Sequence, residues 1–306
     1  MVWPEEGIMK SQCLSASGGA IALLLASTAL PCVARSGDLA TVTEPPASNS
    51  RWQLSATPYG WFTWLKGDQT VKGRTVDVDV NPIELLEHLD GVPFMGYMEA
   101  RKGRLAFYGD IVYAPLNLGT DGVRSRSINP AISGTLSASV GLSIDQTIVE
   151  AGGTYEVAKW QSSAGTTAID ILAGARYWHQ EADLRLSLNG SLDIADLSLV
   201  RGAALARSGG VDWVDPVVGT VMRHNLGPGQ DLVLRGDIGG FGAGSKFSWN
   251  VLAAYSFEIC SEGGVTYSGV LGYRLLDVDY EKGSGRTKYE YDVLQHGPIS
   301  GLSVAF

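Results

Sequence analysis

The chain has 306 residues, with 23 Lys and Arg against 32 Asp and Glu and a formal net charge of −9. That balance, with no basic patch, disfavours a nucleic-acid partner, because it repels phosphate. No segment beyond the N-terminal region holds 18 consecutive apolar residues, so a helical membrane protein is not expected.

Residues 1–34 read as a secretory signal. Lys10 supplies the positive region, 18–30 the apolar core, and Cys32 and Ala34 the small residues before a cleavage site after Ala34. Met9 is an alternative start. The apolar run is shorter than the roughly 20 residues that a span needs. Pro31 immediately before Cys32 argues against a lipoprotein signal. Cleavage would leave Cys260 as the one cysteine, without an internal disulfide framework. Residues 35–50, which contain Glu44-Pro45-Pro46, read as a flexible periplasmic leader, and 51–306 as one domain.

From Trp52 onward the dominant period is two. Strands are expected over about 51–66, 92–102, 104–116, 136–158, 166–188, 211–225, 231–242, 246–259, 264–281 and 288–306. In the fifth, Ile169, Ile171, Ala173, Ala175 and Tyr177 oppose Asp170, Gly174, Arg176 and Trp178. Pro216 sits inside the sixth, tolerable near a strand end or bulge. Between the first two strands, Val76-Asp77-Val78-Asp79-Val80 alternates well enough to extend a hairpin. Asn81 and Pro82 then open a helical stretch over 81–90, with Asn81 as N-cap and an apolar stripe of Ile83, Leu85, Leu86 and Leu89. That helix is expected on an outer rim or folded into a barrel mouth. Connections after even-numbered strands are short, and those after odd-numbered strands tend to be longer.

The reading is an all-β, antiparallel up-and-down transmembrane β-barrel of ten strands, with tight periplasmic turns and long external loops. Eight or twelve strands are the alternatives, depending on whether 67–80 and 183–200 form separate spans. The competing fold is an exported soluble β-sandwich or lipocalin-like barrel, which would turn its charged parity outward. The last strand places Leu302, Val304 and Phe306 on one face and ends on an aromatic. These three are expected to form the C-terminal signal read by the barrel-assembly machinery.

The chain also resembles a family of poorly characterised proteobacterial outer-membrane barrels. The resemblance rests on Ala56-Thr57-Pro58-Tyr59-Gly60-Trp61, on 93–101 with Gly109-Asp110, on 235–241, on Gly272-Tyr273-Arg274 with 277–280, and on 297–306. It implies the barrel and no enzymatic activity.

One strand parity collects Glu99, Arg101, Asp110, Asp170, Arg176, Asp215, Arg223, Arg235, Asp237 and Arg274. These are expected to line the lumen, either as a solute-selecting surface or as a salt-bridge ladder that fills a narrow barrel. His179, with Glu181 and Asp183, is the one catalytic lead, and no GxSxG, HExxH or phosphate loop accompanies it. Neither a metal nor another cofactor is expected. Arg124, Arg126 and Arg207 are placed to touch lipopolysaccharide phosphates, and Trp52, Trp64, Trp178, Trp213 and Trp249 to mark the interfacial belts. Together these point to a monomeric protein of the bacterial outer membrane, contacting its lipids and lipopolysaccharide and no nucleic acid. It would be a structural barrel or a narrow passive-diffusion pore with a charged lumen. A surface-binding or adhesion barrel acting through its loops is the alternative, and a lipid- or peptide-modifying enzyme the remote one.

Overall fold

The computed structural model describes residues 51–118, 123–125, 136–190, 193–194, 197–198 and 203–306, with side chains described over 51–116, 143–183 and 209–306. The expected signal and leader segments and Arg126 lie outside the described residues, and Arg124 and Arg207 outside the described side chains.

In chain order the strands are β1 Gln53–Trp61, β2 Trp64–Val71, β3 Arg74–Val80, β4 Phe94–Lys102, β5 Leu105–Leu118, β6 Val123–Ser125, β7 Leu136–Ser162 and β8 Gly165–Gly190. The two short strands β9 Asp193–Ile194 and β10 Leu197–Ser198 form a separate ladder. They are followed by β11 Ala203–Gly227, β12 Gln230–Gly239, β13 Phe247–Glu262, β14 Val265–Lys282 and β15 Tyr289–Ala305. A short helix, α1 (Pro82–Glu87), lies between β3 and β4.

Ten of these strands close an antiparallel barrel in the order β1-β4-β5-β7-β8-β11-β12-β13-β14-β15, and β15 returns to β1 with Ser55 opposite Ala305 and Trp61 opposite Ile299. Segment 67–80 is no eleventh span. It belongs to the β2–β3 hairpin, which continues the wall beyond β1 by pairing with Glu290–His296 of β15. Residues 183–190 are the far end of β8. Pro298 marks the place where β1 gives way to β2: its carbonyl accepts from the Phe62 amide at 2.9 Å. Pro216 plays a related part in β11. It has no N–H to offer a neighbour, and β12 leaves the ladder at the next residue, where Gly239 pairs with Val217.

Four tight turns, at 103–104, 163–164, 228–229 and 263–264, lie at one end together with Phe306. All the longer connections lie at the other. Gly165 shows why one of these turns needs glycine: at φ +124 a Cβ would lie 1.8 Å from the Asn225 carbonyl oxygen.

Near the tight-turn end the barrel is inside out. Its outer face exposes Trp52, Leu54, Met98, Phe107, Trp160, Ile171, Leu271 and Leu302, whereas Asp170, Arg176 and Asp215 are 0 % exposed. A soluble domain would reverse this arrangement, so the soluble alternative fails. Toward the long-loop end the interior turns apolar: Val71, Val76, Val78, Leu276, Val278 and Val293 form one buried cluster with Trp178, Trp213, Tyr280, Tyr289 and Tyr291. The outer face there carries Asp68, Asp77, Asp79, Asp279, Glu281 and Asp292. Each long strand thus passes from a section with an apolar exterior to a section with an apolar core.

α1 has Asn81 as its N-cap, and its Oδ1 accepts from the Ile83 and Glu84 amides at 3.0 Å each while Glu84 reaches back to the Asn81 amide. Leu85 is buried against the core, whereas Ile83 and Leu86 are exposed.

Candidate functional site

The candidate site is the lumen. Alternate residues of a strand point to one face, so Arg235 and Asp237 on β12 face inward together, as do Arg176 and Trp178 on β8.

The charged residues assemble into three groups. Nearest the tight turns, Arg101 donates to Glu99 at 2.9 Å and to Asp170 at 2.8 Å, and Arg223 donates to Asp170 at 2.9 Å and to Glu156 at 3.0 Å. At mid-barrel, Arg176 and Arg235 alternate with Glu150 and Asp237. Arg176 donates to Glu150 at 2.8 Å and to Asp237 at 2.7 Å, and Arg235 donates to Asp237 at 2.8 Å and also to Glu150. Tyr108 adds a hydrogen bond to Glu150 at 2.8 Å. On the opposite wall Arg274 donates to Asp110 at 2.8 Å, and Tyr59 donates to the same carboxylate at 2.7 Å. Asn250 joins this group to the central one, donating to Asp237 at 2.7 Å and accepting from Arg274 at 3.1 Å. Such charges are tolerated away from water because each finds opposite charge and hydrogen-bond partners.

Nine of the ten sequence-predicted residues enter these groups. Asp215 does not. It accepts from the Ser245 amide at 2.6 Å, from the Ser245 hydroxyl at 2.9 Å and from Trp213 Nε1 at 3.3 Å, so it anchors the β12–β13 connection. Sequence reasoning missed Glu150, Glu156, Tyr59, Tyr108 and Asn250. The signal was present for Glu150, which shares its parity with Ile144, Gln146 and Ile148, but that parity mixes polar and apolar side chains.

Beyond the charges lies a layer of amides and phenols. Gln146 Oε1 accepts from Gln180 and Gln295 at 3.0 Å each and from Tyr291 at 3.0 Å, and Tyr289 donates to Gln180 at 3.2 Å. Next come stacked rings: Trp178 on Trp213 with centroids 5.3 Å apart, and Trp213 on Tyr280 at 3.9 Å. Trp178 and Trp213 therefore do not mark the membrane interface. They are 0 % and 6 % exposed and pack inside the barrel, while Trp52 and Trp64 are the exposed members of that set.

His179 is on the outer face. Its Nδ1 lies 2.7 Å from Asp212 Oδ1, and Tyr177 donates to the same oxygen at 2.6 Å. Glu181 stands off at 3.9 Å from Nε2. The carboxylate that engages the imidazole is thus one that the local sequence window does not contain.

Beyond the apolar belt, the outer face carries a row of directly opposed aspartates: Asp279 faces Asp292, Asp292 faces Asp68, and Asp68 faces Asp77. Burial, then the charges of Asp279, Glu290 and Asp68, raise the Asp292 carboxyl above its ordinary value, with Lys246 opposing. A raised folded-state value means that the native form holds more protons, so the stability of this section falls as pH rises above about 4. Asp292→Asn is expected to flatten that dependence and to stabilise the hairpin at pH 7 by roughly 0.2–1 kcal/mol, read from urea midpoints at pH 5 and pH 7.5.

No protein-family model and no curated protein sequence matches the chain. Among solved structures it is similar to the outer-membrane protease OmpT from Escherichia coli, at 6 % identity and a TM-score of 0.47, covering 86 % of this chain and 99 % of that one. It is also similar to OccAB2 of Acinetobacter baumannii, at 7 % identity and a TM-score of 0.24 over 84 % and 98 % of the two chains. The translocator domain of the autotransporter NalP from Neisseria meningitidis gives 10 % identity and a TM-score of 0.22 over 82 % and 86 %. At these identities the likeness is one of barrel architecture alone. The fold itself, with charges inside and an apolar belt outside, is that of an outer-membrane-type barrel.

Proposed function

We propose that this protein is a monomeric structural barrel of the bacterial outer membrane whose lumen is sealed, rather than a diffusion pore or an enzyme. Its belt contacts outer-membrane lipids and lipopolysaccharide, and its insertion depends on the barrel-assembly machinery. The observation that carries the reading is the continuous filling of the interior: charged groups, the Gln–Tyr layer and the Trp178–Trp213–Tyr280 stack succeed one another along the axis, with Arg176, Trp178 and Gln180 each 0 % exposed. A ten-stranded barrel has little spare width, since about eight strands already fill with side chains. A pore selecting ions with these same charges would need them wet and accessible, and instead they satisfy one another.

The test is single-channel recording in planar bilayers with protein whose folding is established by heat-modifiable migration. The expected record is flat. Discrete, reproducible opening steps from folded protein would overturn the sealed reading and restore the narrow pore.

A further inference from the structure

The wall has a seam at the long-loop end. Past Val217, β11 has lost β12, and among the described residues its free edge has no strand partner. Residues 209–211 of that edge face the β14–β15 turn, with the Lys72–Gly73 turn of the β2–β3 hairpin alongside. The two turns are tied together by the Gly73 amide, which donates to the Lys288 carbonyl at 2.9 Å. Between edge and turns lies a half-open cavity of about 360 Å³. That is near the lower end of the range of about 300–1,000 Å³ typical of small-ligand sites.

The chemistry of this cavity runs against that of the chain. Lys72, Lys282 and Arg286 line it, and among the described residues none that lines it is acidic, in a protein of net charge −9. Among the described residues none of the three cations has an ion pair, whereas the neighbouring Lys246 and Lys288 are each held by two carboxylates. Asp212 feels the charge of Lys282, but its own hydrogen bonds go to Tyr177 and His179. Thr287 adds a hydroxyl, and Gly209, Val211 and Tyr289 supply an apolar floor. A Cβ on Gly209 would make ordinary contact with Val71 and Tyr289 at 3.5 and 3.8 Å, so Gly209 lies close against both.

We propose that this cavity binds a compact phosphorylated saccharide from the external medium. Three cations that have no ion pair among the described residues suit a phosphate monoester, which carries about −1.5 to −2 charges near pH 7. The apolar floor suits the carbon face of a sugar ring. The position favours a soluble ligand over a lipid headgroup. β14 runs 18 residues from its tight turn to Lys282. At about 3.3 Å per residue and a tilt of about 40° that is a height of roughly 45 Å, against an apolar belt about 25 Å tall. The cavity therefore stands past the far edge of the belt, toward the aqueous side of the headgroup layer. This inference goes beyond the structural reading and does not depend on whether the lumen conducts.

The experiment is calorimetric titration of the folded full chain with glucose 6-phosphate, inorganic phosphate and glucose. Saturable binding of glucose 6-phosphate, weaker binding of inorganic phosphate and none of glucose are expected. Lys282→Gln, at the exposed end of β14, and Arg286→Gln, in the exposed turn that follows, should each weaken binding about tenfold, as loss of one charge-assisted contact does. No saturable binding of glucose 6-phosphate, or equal affinity in the Lys282→Gln/Arg286→Gln double variant, would overturn the site. Inorganic phosphate binding as tightly as glucose 6-phosphate would remove the saccharide. Repeating the titration in phosphatidylcholine bilayers with and without phosphatidylglycerol separates the two sources of phosphate. Unchanged affinity supports the soluble ligand, and competition by phosphatidylglycerol would transfer the cavity to lipid and overturn the assignment.

Discussion

Arg176→Met is expected to cost about 3–5 kcal/mol and to leave most of the protein unable to reach the heat-modifiable folded form. Arg176 is fully buried and shares Glu150 and Asp237 with Arg235. Methionine matches much of its volume and removes its charge, so two buried carboxylates are left with one guanidinium between them. The loss is not that of an attractive pair alone, because it includes the cost of an uncompensated buried charge. Two comparisons separate this mechanism from simple loss of packing. Arg223→Met should cost about 1 kcal/mol or less, since the Arg223 side chain is 30 % exposed and the buried Asp170 that it leaves keeps Arg101 at 2.8 Å. Adding Glu150→Gln to Arg176→Met should recover part of the stability, because one of the stranded charges is then gone. Urea-unfolding midpoints of these proteins together with the Glu150→Gln single variant, all in one detergent, read the coupling directly.

Gly297→Ala is expected to destabilise the barrel by about 3 kcal/mol or more. Gly297 lies on β15 opposite the junction of β1 and β2, where a Cβ would sit 1.8 Å from the Phe62 carbonyl oxygen and 2.8 Å from its carbon. The obstacle is backbone, which has no rotamer to change. Relief requires moving the Phe62–Thr63 break, and with it the register that closes β15 on β1 below and on β2 above. Gly236→Ala is the control: a Cβ there meets nothing within 4 Å, and a change within about 0.5 kcal/mol is expected. Equal stability of the two variants would mean that the junction is not part of barrel closure.

Much of the architecture was legible in the residues. The period of two and the N-cap at Asn81 appear where the pattern places them, and the short links expected at 102–103 and about 159–165, 226–230 and 259–263 appear as turns at 103–104, 163–164, 228–229 and 263–264, the last displaced because β13 runs on to Glu262. What misled was the assumption that a strand keeps one environment along its length. β14 shows the difficulty: Arg274 and Val278 point inward together, as do Leu276 and Tyr280, while Leu271 and Asp279 point outward. Inward residues are charged where the exterior is apolar and apolar where the exterior is charged. A parity count over the whole strand averages these two regimes and blurs both. Trp178 and Trp213 were misplaced for the same reason, since a tryptophan in a belt and one in a plug look alike in sequence.

The candidate site was legible in its membership and not in its pairing. Alternation alone places Arg101, Arg176, Arg235 and Asp237 on one face, because successive side chains of a strand must point to opposite sides. It cannot tell which carboxylate meets which guanidinium, since those contacts join residues up to 164 positions apart through strand order and stagger. Nor could it separate Asp215 from the rest, because it is the β12–β13 connection, folding back beneath β11, that brings Ser245 to that carboxylate. The sequence by itself determined the strands, their faces and the sidedness of the turns, all of which are local consequences of backbone geometry and side-chain polarity. Only the tertiary structure decided which side chains meet in the lumen, that among the described residues one edge of β11 lacks a strand partner, and that Lys72, Lys282 and Arg286 gather beside it. These depend on which distant strands become neighbours when the sheet closes.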